Sequence, residues 1–356
     1  VKIVRLTTSL DFGGQEKQYI SFTNASSKLK HEYVFAAIGN GGDASRNLKE
    51  KGFEVNVFNR NPSVMNFSNL FILYRWFRSV KPDIVHTAAA EANFHGTLAA
   101  RLAGVKIVVA EEIGFPNHSA KARMVFSIIY RLVRKVVCVS HAVLDFLIKI
   151  GEIPLPKGEV IYNPVTIPNK VERDPQPYFT IVTVGRLEKV KNQRLLLEAM
   201  ASFSNKSVRL ILVGDGSERQ NLESMIDQLK LKERVRITGF VPEPAQYLAK
   251  ADLFVLPSLT EGFGIAAVEA MHTGVPCLCS EVGGIPEFIE DGKNGWLFDP
   301  SSKSDLIAKL ELILEMDREE RIAVGIQGRN SVRHRFSEER YIETLESFYD
   351  KLAKGD

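Results

Sequence analysis

The stretch LFVLPSLTEGFGIAAVEAMHTGVPCLCSEVGGIP, Leu253 to Pro286, decides the fold of the chain. Leu253 to Leu256 form a continuous apolar run closed by Pro257 and Ser258, the pattern of a strand buried on both faces of a parallel sheet. A turn with Glu261, Gly262, Phe263 and Gly264 follows. Ile265, Val268, Met271 and His272 then recur at helical spacing until Gly274 and Pro276 stop the pattern. Strand, turn, helix and strand in that order put the turn beyond the carboxyl end of a sheet strand, where the next helix offers N–H groups and partial positive charge to an anion. Two glycines let a ligand approach the backbone closely. Glu261 and Glu269 have seven residues between them and can face one cleft; a carboxylate there accepts bonds from vicinal hydroxyls, as holding a sugar or ribose requires.

Working outward, FTIVTVGRLEKVKNQRLLLEAM predicts a strand to Val184, a turn over Gly185 to Lys191, and a helix with Leu195, Leu196, Met200 and Phe203 inward. Arg186 and Lys191 stand at a strand end and a helix start, where a diphosphate would meet both cations and backbone donors. Further turns carry Gly214, Asp215 and Gly216, then Gly239, Phe240 and Val241. Helices are predicted over Ser304 to Met316, Glu319 to Arg333 and Glu338 to Lys354. Prolines and polar residues from Asn163 to Pro177 mark a linker.

Before the linker the chain alternates again. Val1 to Ser9 reads as a buried strand, with Gly13 and Gly14 leading into a helix; without GxGxxG a dinucleotide reading is weak. Strands are predicted near Tyr33–Ile38, Phe53–Phe58, Asp83–Thr87, Lys106–Ala110 and Lys135–Ser140, with helices near Ala44–Lys51, Asn69–Val80, Asn93–Leu102 and Lys121–Val133. Such βα repetition implies a second parallel, doubly wound sheet. LFILYRWFRSVK (Leu70 to Lys81) and AKARMVFSIIYRLVRK (Ala120 to Lys135) mix apolar and aromatic residues with Arg and Lys, the composition of an interfacial helix or of an amphipathic helix on its own sheet.

With these motifs in hand, the chain resembles the retaining GT-B glycosyltransferases, the large family four (group one) enzymes that include sucrose synthase and many bacterial polysaccharide-assembly enzymes. Glu261 to Glu269 matches their E-x7-E signature, and Arg186 to Lys191 their GR-x4-K motif, with Asn192 in place of the usual following glycine. The resemblance implies two Rossmann-like domains facing each other across a cleft: residues 1–168, joined by the last helix from about 338 to 356, for the acceptor, and 169–337 for a nucleotide-sugar donor. It implies that Glu261 contacts the transferred sugar, and that Gly262, Phe263 and Gly264 line sugar and phosphate. Glu269 would hold the ribose, Gly216 and Val241 border the base, and Gly13 and Gly14 help bind donor phosphate or acceptor. A histidine often follows the fifth strand in this family; here Glu112 stands at that place. His86, His95, Glu111 and Glu112 are the candidates for contact with acceptor or sugar. No metal and no cofactor is implied beyond a nucleotide sugar, UDP-linked by expectation.

Composition sets the outer bounds. The 356 residues suffice for two domains, and 45% hydrophobic with 25% charged residues describes a globular protein without a membrane-span-length apolar run. Seven histidines show no HExxH or Cys/His spacing, which speaks against a zinc site. Cys138, Cys277 and Cys279 fall in apolar strand-like stretches, and no signal peptide precedes the first strand, so a reducing, cytoplasmic setting is expected. Residues 1–168 hold 21 Lys and Arg against 13 Asp and Glu, while the remainder is acidic. A basic first half suits an anionic partner, whether a membrane face, a lipid-linked pyrophosphate or a nucleic acid, though no nucleic-acid module is evident. The expected reaction is transfer of a sugar to a glycan or lipid-linked acceptor in cell-surface polysaccharide synthesis. The rivals are a 2-epimerase or phosphorylase on the same fold, and a non-catalytic sugar-nucleotide binder.

Overall fold

The computed structural model describes residues 1–11, 14–166, 177–203 and 207–355, with the backbone alone described at 14–17. Contacts divide the chain into two compact units, Val1–Pro164 with Glu338–Asp356, and Val165–Ser337. Most of the stretch expected as a linker, and Gly13, lie outside the described residues.

The first unit runs β1 (Lys2–Thr7), α1 (Gly14–Asn24), β2 (Glu32–Ala37), α2 (Asp43–Glu50), β3 (Glu54–Val57), α3 (Ser68–Val80), β4 (Ile84–Ala88), α4 (Ala90–Leu102), β5 (Ile107–Glu112), α5 (Ala120–Leu132), β6 (Lys135–Cys138), α6 (His141–Lys149) and β7 (Gly158–Val160). The strands lie in the order β3-β2-β1-β4-β5-β6-β7, paired in parallel. Strands buried on both faces make this possible: every residue of β4 is buried, and all but the first of β1 and β2. Serines begin two of the helices, Ser119 Oγ accepting from the Ala122 N–H at 3.3 Å and Ser140 Oγ from that of Val143 at 3.2 Å.

The second unit runs β8 (Phe179–Val184), α7 (Gln193–Ser202), β9 (Val208–Val213), α8 (Arg219–Gln228), β10 (Val235–Ile237), α9 (Ala245–Leu248), β11 (Leu253–Leu256), α10 (Ile265–Thr273), β12 (Cys277–Ser280), β13 (Trp296–Phe298), α11 (Lys303–Glu315) and α12 (Arg318–Val332). Its order, β10-β9-β8-β11-β12-β13, repeats that of the first six strands of the other sheet. Both are doubly wound sheets whose order reverses between two central neighbours, β1 and β4 in one and β8 and β11 in the other. As the sequence predicts, β11 is wholly buried, and α10 ends at Gly274 in the left-handed region.

The last helix, α13 (Glu338–Lys354), packs within the first unit. It buries Tyr341, Ile342, Leu345, Phe348, Tyr349 and Leu352 in that unit's core. Its polar side is tied down as well. Asn24 Nδ2 reaches Glu338 at 2.9 Å, Lys28 Nζ reaches Glu343 at 2.7 Å, and Tyr33 OH donates to the buried Glu346.

Candidate functional site

In the second unit the loops after β8 and β11 meet at the reversal of strand order. Leu259 N–H donates to Val190 O at 2.8 Å, which fixes the turn carrying Lys191 against the turn carrying Glu261. The two side chains close this contact, Lys191 Nζ bonding Glu261 Oε1. Ser258 Oγ donates to the same carboxylate oxygen at 2.8 Å. The pair stays partly open to solvent, with the Lys191 side chain 22% and that of Glu261 11% exposed. Arg186 stands apart: its side chain is 76% exposed and pairs with Glu188 at 2.9 Å. Thus two of the three cations and acids expected to act together touch, and the third lies on the same loop with its charge in solvent.

Backbone strain explains several residue types here. Asn192, at the place of the family's glycine, has φ 53° and ψ 32°, the left-handed region that asparagine tolerates better than other side chains. Gly264 caps α10 at φ 98°, and a Cβ there would sit 2.3 Å from Ile285 Cδ1. Gly216 packs so tightly that a Cβ would lie 2.4 Å from Leu187 O. Val241 is half-buried just beyond β10, and Glu269 is half-buried on the second turn of α10. Phe263 departs from expectation. Its ring is buried and packs on Phe288 at 5.6 Å and Phe336 at 5.0 Å, so it anchors the turn from within instead of lining a ligand surface.

The candidates in the first unit are interior. Arg5, on β1, is the hub: NH1 lies 2.8 Å from His86 Nδ1 and 3.2 Å from Tyr349 OH, and NH2 3.1 Å from both Gln18 Oε1 and Glu111 Oε2. Gln18 Nε2 also donates to Asn163 Oδ1 at 2.8 Å. Burial, with Arg5 adding its charge, pushes the His86 imidazole down to about 4, so the ring is neutral and its Nδ1 is assigned as an acceptor for Arg5. Burial by itself would raise the Glu111 carboxyl, but Arg5, His86 and Gln18 hold it at about 2. Glu112 goes the other way. Burial pushes it up to about 7 against the bonds from Tyr130 OH and Asn93 Nδ2, with the Glu152 and Glu111 charges adding to the rise. His95 lies within α4, not at its start, is buried, and bonds Ser63 O at 3.0 Å. Each of these four side chains, expected at acceptor or sugar, is buried and bonded inside the fold. Gly14 is the first residue of α1.

Sequence reasoning passed over Ser258, Arg5 and Gln18. Ser258 had a visible signal, three residues before Glu261 in the same turn. Arg5 had a fainter one, a lone cation in a strand otherwise fit for burial on both faces.

Two family models match side by side: Glycosyltransferase Family 4 over residues 12–167 and Glycosyl transferases group 1 over residues 167–331. Among curated proteins, the chain is 32% identical over 177 residues to an N-acetyl-alpha-D-glucosaminyl L-malate synthase of Bacillus anthracis, a match spanning 49% of this chain and 46% of that one. It is 29% identical over 276 residues to the UDP-Gal:alpha-D-GlcNAc-diphosphoundecaprenol alpha-1,3-galactosyltransferase of Escherichia coli, spanning 70% and 71%. Several such matches, then, span only about half of the relative's length. In fold it is similar to Anabaena HepE solved in complex with UDP, with TM-score 0.85 and 23% identity over 99% of this chain and 100% of that one.

Proposed function

We propose, from the premise that this chain belongs to the group 1, family 4 glycosyltransferases, that it moves a sugar from a nucleoside-diphosphate sugar, UDP-linked, to a hydroxyl of a glycan or lipid-linked acceptor, with retention at the anomeric carbon. The observation that carries this reading is the convergence of Lys191, Glu261 and Ser258 where β8 and β11 part, at the start of α10. In an open parallel sheet that crevice is where ligands bind.

The chemistry follows from the side chains. A diphosphate competes with Glu261 for Lys191 and draws the solvent-exposed Arg186 to its other oxygens. Released from Lys191, the Glu261 carboxylate accepts bonds from sugar hydroxyls, with Ser258 holding it in place. As the bond between the anomeric carbon and phosphate oxygen breaks, the electron pair leaves with the diphosphate. Lys191, Arg186 and the amino end of α10 stabilise that growing charge. The acceptor oxygen bonds to the anomeric carbon on the face just vacated, and its proton passes to a phosphate oxygen. These cations let the reaction run without a metal ion. Glu269 holds the ribose, Gly216, Val241, Gly262 and Gly264 contribute backbone around the donor, and Gly13 and Gly14 serve phosphate or acceptor. The first unit takes the acceptor, and the protein works at an anionic membrane face, where lipid-linked acceptors reside.

The test is incubation of UDP-sugars with lipid-linked and soluble glycan acceptors, with and without a chelator. Release of UDP that needs acceptor and survives chelation supports the reading. UDP release needing orthophosphate, epimerised donor, or binding without turnover would replace it with the phosphorylase, the epimerase or the binding protein.

A further inference from the structure

We infer that α5 is an interfacial anchor, its outward stripe of Met124, Val125, Ile128 and Leu132 lying in the headgroup region of an anionic bilayer. The inference rests on the lipid-linked acceptor reading above and gives it a definite surface.

An amphipathic helix on a sheet has one apolar stripe, and α5 has two. Phe126, Ile129, Tyr130 and Val133 point inward and are buried. On the opposite side, at ~100° per residue, Met124, Val125, Ile128 and Leu132 form a second stripe. Met124 is 63% and Ile128 52% exposed, and Val125 and Leu132 are exposed as well. Packing on α4, with Tyr130 OH bonded to Glu112 at the end of β5, accounts for the first stripe, and the second stays exposed among the described residues.

Charge identifies the occupant. Neither α3 nor α5 contains an Asp or Glu. Lys121 and Arg123 precede the stripe, and Arg131 and Arg134 border its far end; none of the four has a carboxylate within ion-pair distance among the described residues. Some other cations of this unit do meet carboxylates, Lys135 with Glu159 at 3.5 Å and Lys28 with Glu343 at 2.7 Å. Arg123 Nε and Arg134 NH2 bond only backbone carbonyls, those of His118 and Gly355, each at 3.2 Å, so the charges stay uncompensated; an apolar stripe edged by such cations fits acyl chains below anionic phosphates. A second copy fits poorly, since a two-fold contact through α5 would set these cations against their own copies with no acid on the helix to meet them. The carboxyl end of α5 is firmly held: Lys157 Nζ bonds Val133 O at 2.6 Å and Arg101 Nε bonds Leu132 O at 2.7 Å. The anchor is therefore rigid before it meets a membrane. No described helix is long and apolar enough to cross one, so contact would be from one side.

Co-sedimentation of the full chain with vesicles of phosphatidylcholine alone, or mixed with phosphatidylglycerol, tests this. We expect binding to the mixed vesicles only, weakened by salt, lost in an Ile128→Asp, Leu132→Asp double variant, and reduced ~5-fold by Lys121→Ala or Arg131→Ala. Thermal stabilisation by UDP, which reads the second unit, should be the same in all four chains; its absence from every chain would count against the proposed function and leave the vesicle result standing. Wild-type chain left in solution with mixed vesicles would overturn the inference. So would an Asp double variant that sediments like wild type, or a wild-type dimer in solution that this variant turns into a monomer.

Discussion

The chain contains the same strand order twice, and the two reversals of that order are furnished in opposite ways. Around β1 and β4 the polar groups are turned inward and bonded to one another: Arg5 spends the two ends of its guanidinium on His86, Gln18, Glu111 and Tyr349. Where β8 and β11 part, the Lys191–Glu261 pair stays partly in solvent and Arg186 almost wholly so. A buried ion pair held inside such a network can do little for a ligand, because exchanging partners would strand a charge in low dielectric. An accessible pair can exchange at small cost. Catalytic potential in this chain is therefore read from how available a charge is, more than from the residue type that carries it.

The sharpest way to break that contrast is to open the closed network. In Arg5→Met the Glu111 carboxylate keeps its burial and loses its counter-charge, and unfolding free energy should fall by about 3–5 kcal/mol. Adding Glu111→Gln should return part of the loss, since the stranded charge goes with it. Denaturant unfolding measures both, and a single-variant loss below about 1 kcal/mol would mean that the network is ornamental.

Next in size is the open pair. Lys191→Ala should lower turnover by about 10²–10³ while shifting unfolding by no more than about 1 kcal/mol. Equal damage to stability and rate would place Lys191 among the structural residues and erase the distinction between the two reversals.

A third test uses pH. The folded Glu112 titrates at about 7 against 4.5 when unfolded, so the fold favours its protonated form. Its contribution is fully present below pH 4.5 and is lost as pH rises through 7, with a slope of up to ~1.4 kcal/mol per pH unit. Glu112→Gln should remove that slope and leave a flatter curve of melting temperature between pH 4.5 and 8. If wild type and variant fall in parallel over this range, the carboxyl is ionised in the fold and the cause assigned to it is wrong.

These tests also mark where sequence is informative. The architecture was legible because it rests on local signals: apolar runs such as Leu253–Leu256, and the stop at Gly274 and Pro276 after α10. Elements left out of the sequence reading, α6 and β7 among them, were harder: β7 is three residues beginning with glycine, at the sheet edge, too short to show a period. Lys191 and Glu261 were legible as residues but not as partners, since 70 positions separate them and one backbone bond joins their loops. The type of His86, Glu111 and Glu112 gave no sign of their burial. Strand ends carry both binding and packing groups, and only three-dimensional neighbours, Arg5 and Tyr130 above all, reveal which these are.

The smallest expected effect concerns a residue that fits neither pattern. His272 lies in α10, the helix that starts at the open pair, yet it is buried, and neither ring nitrogen meets a hydrogen-bond partner among the described residues. Burial, with the Arg333 charge adding, holds its imidazole at about 4 against 6.5 when unfolded. The fold thus favours the neutral ring, and stability is lost as pH falls from 6.5 through 4. Replacing the ring by a hydrocarbon of similar bulk removes two unsatisfied polar atoms and the acid sensitivity together. His272→Leu should gain ~1 kcal/mol at neutral pH, with a larger gain at pH 5, because only wild type must then keep a proton off the ring. Its UDP-induced thermal shift should match wild type, since the open pair is untouched. Destabilisation at both pH values would mean that the ring's nitrogens are engaged in solution, and that α10 joins the closed network's chemistry to the open site.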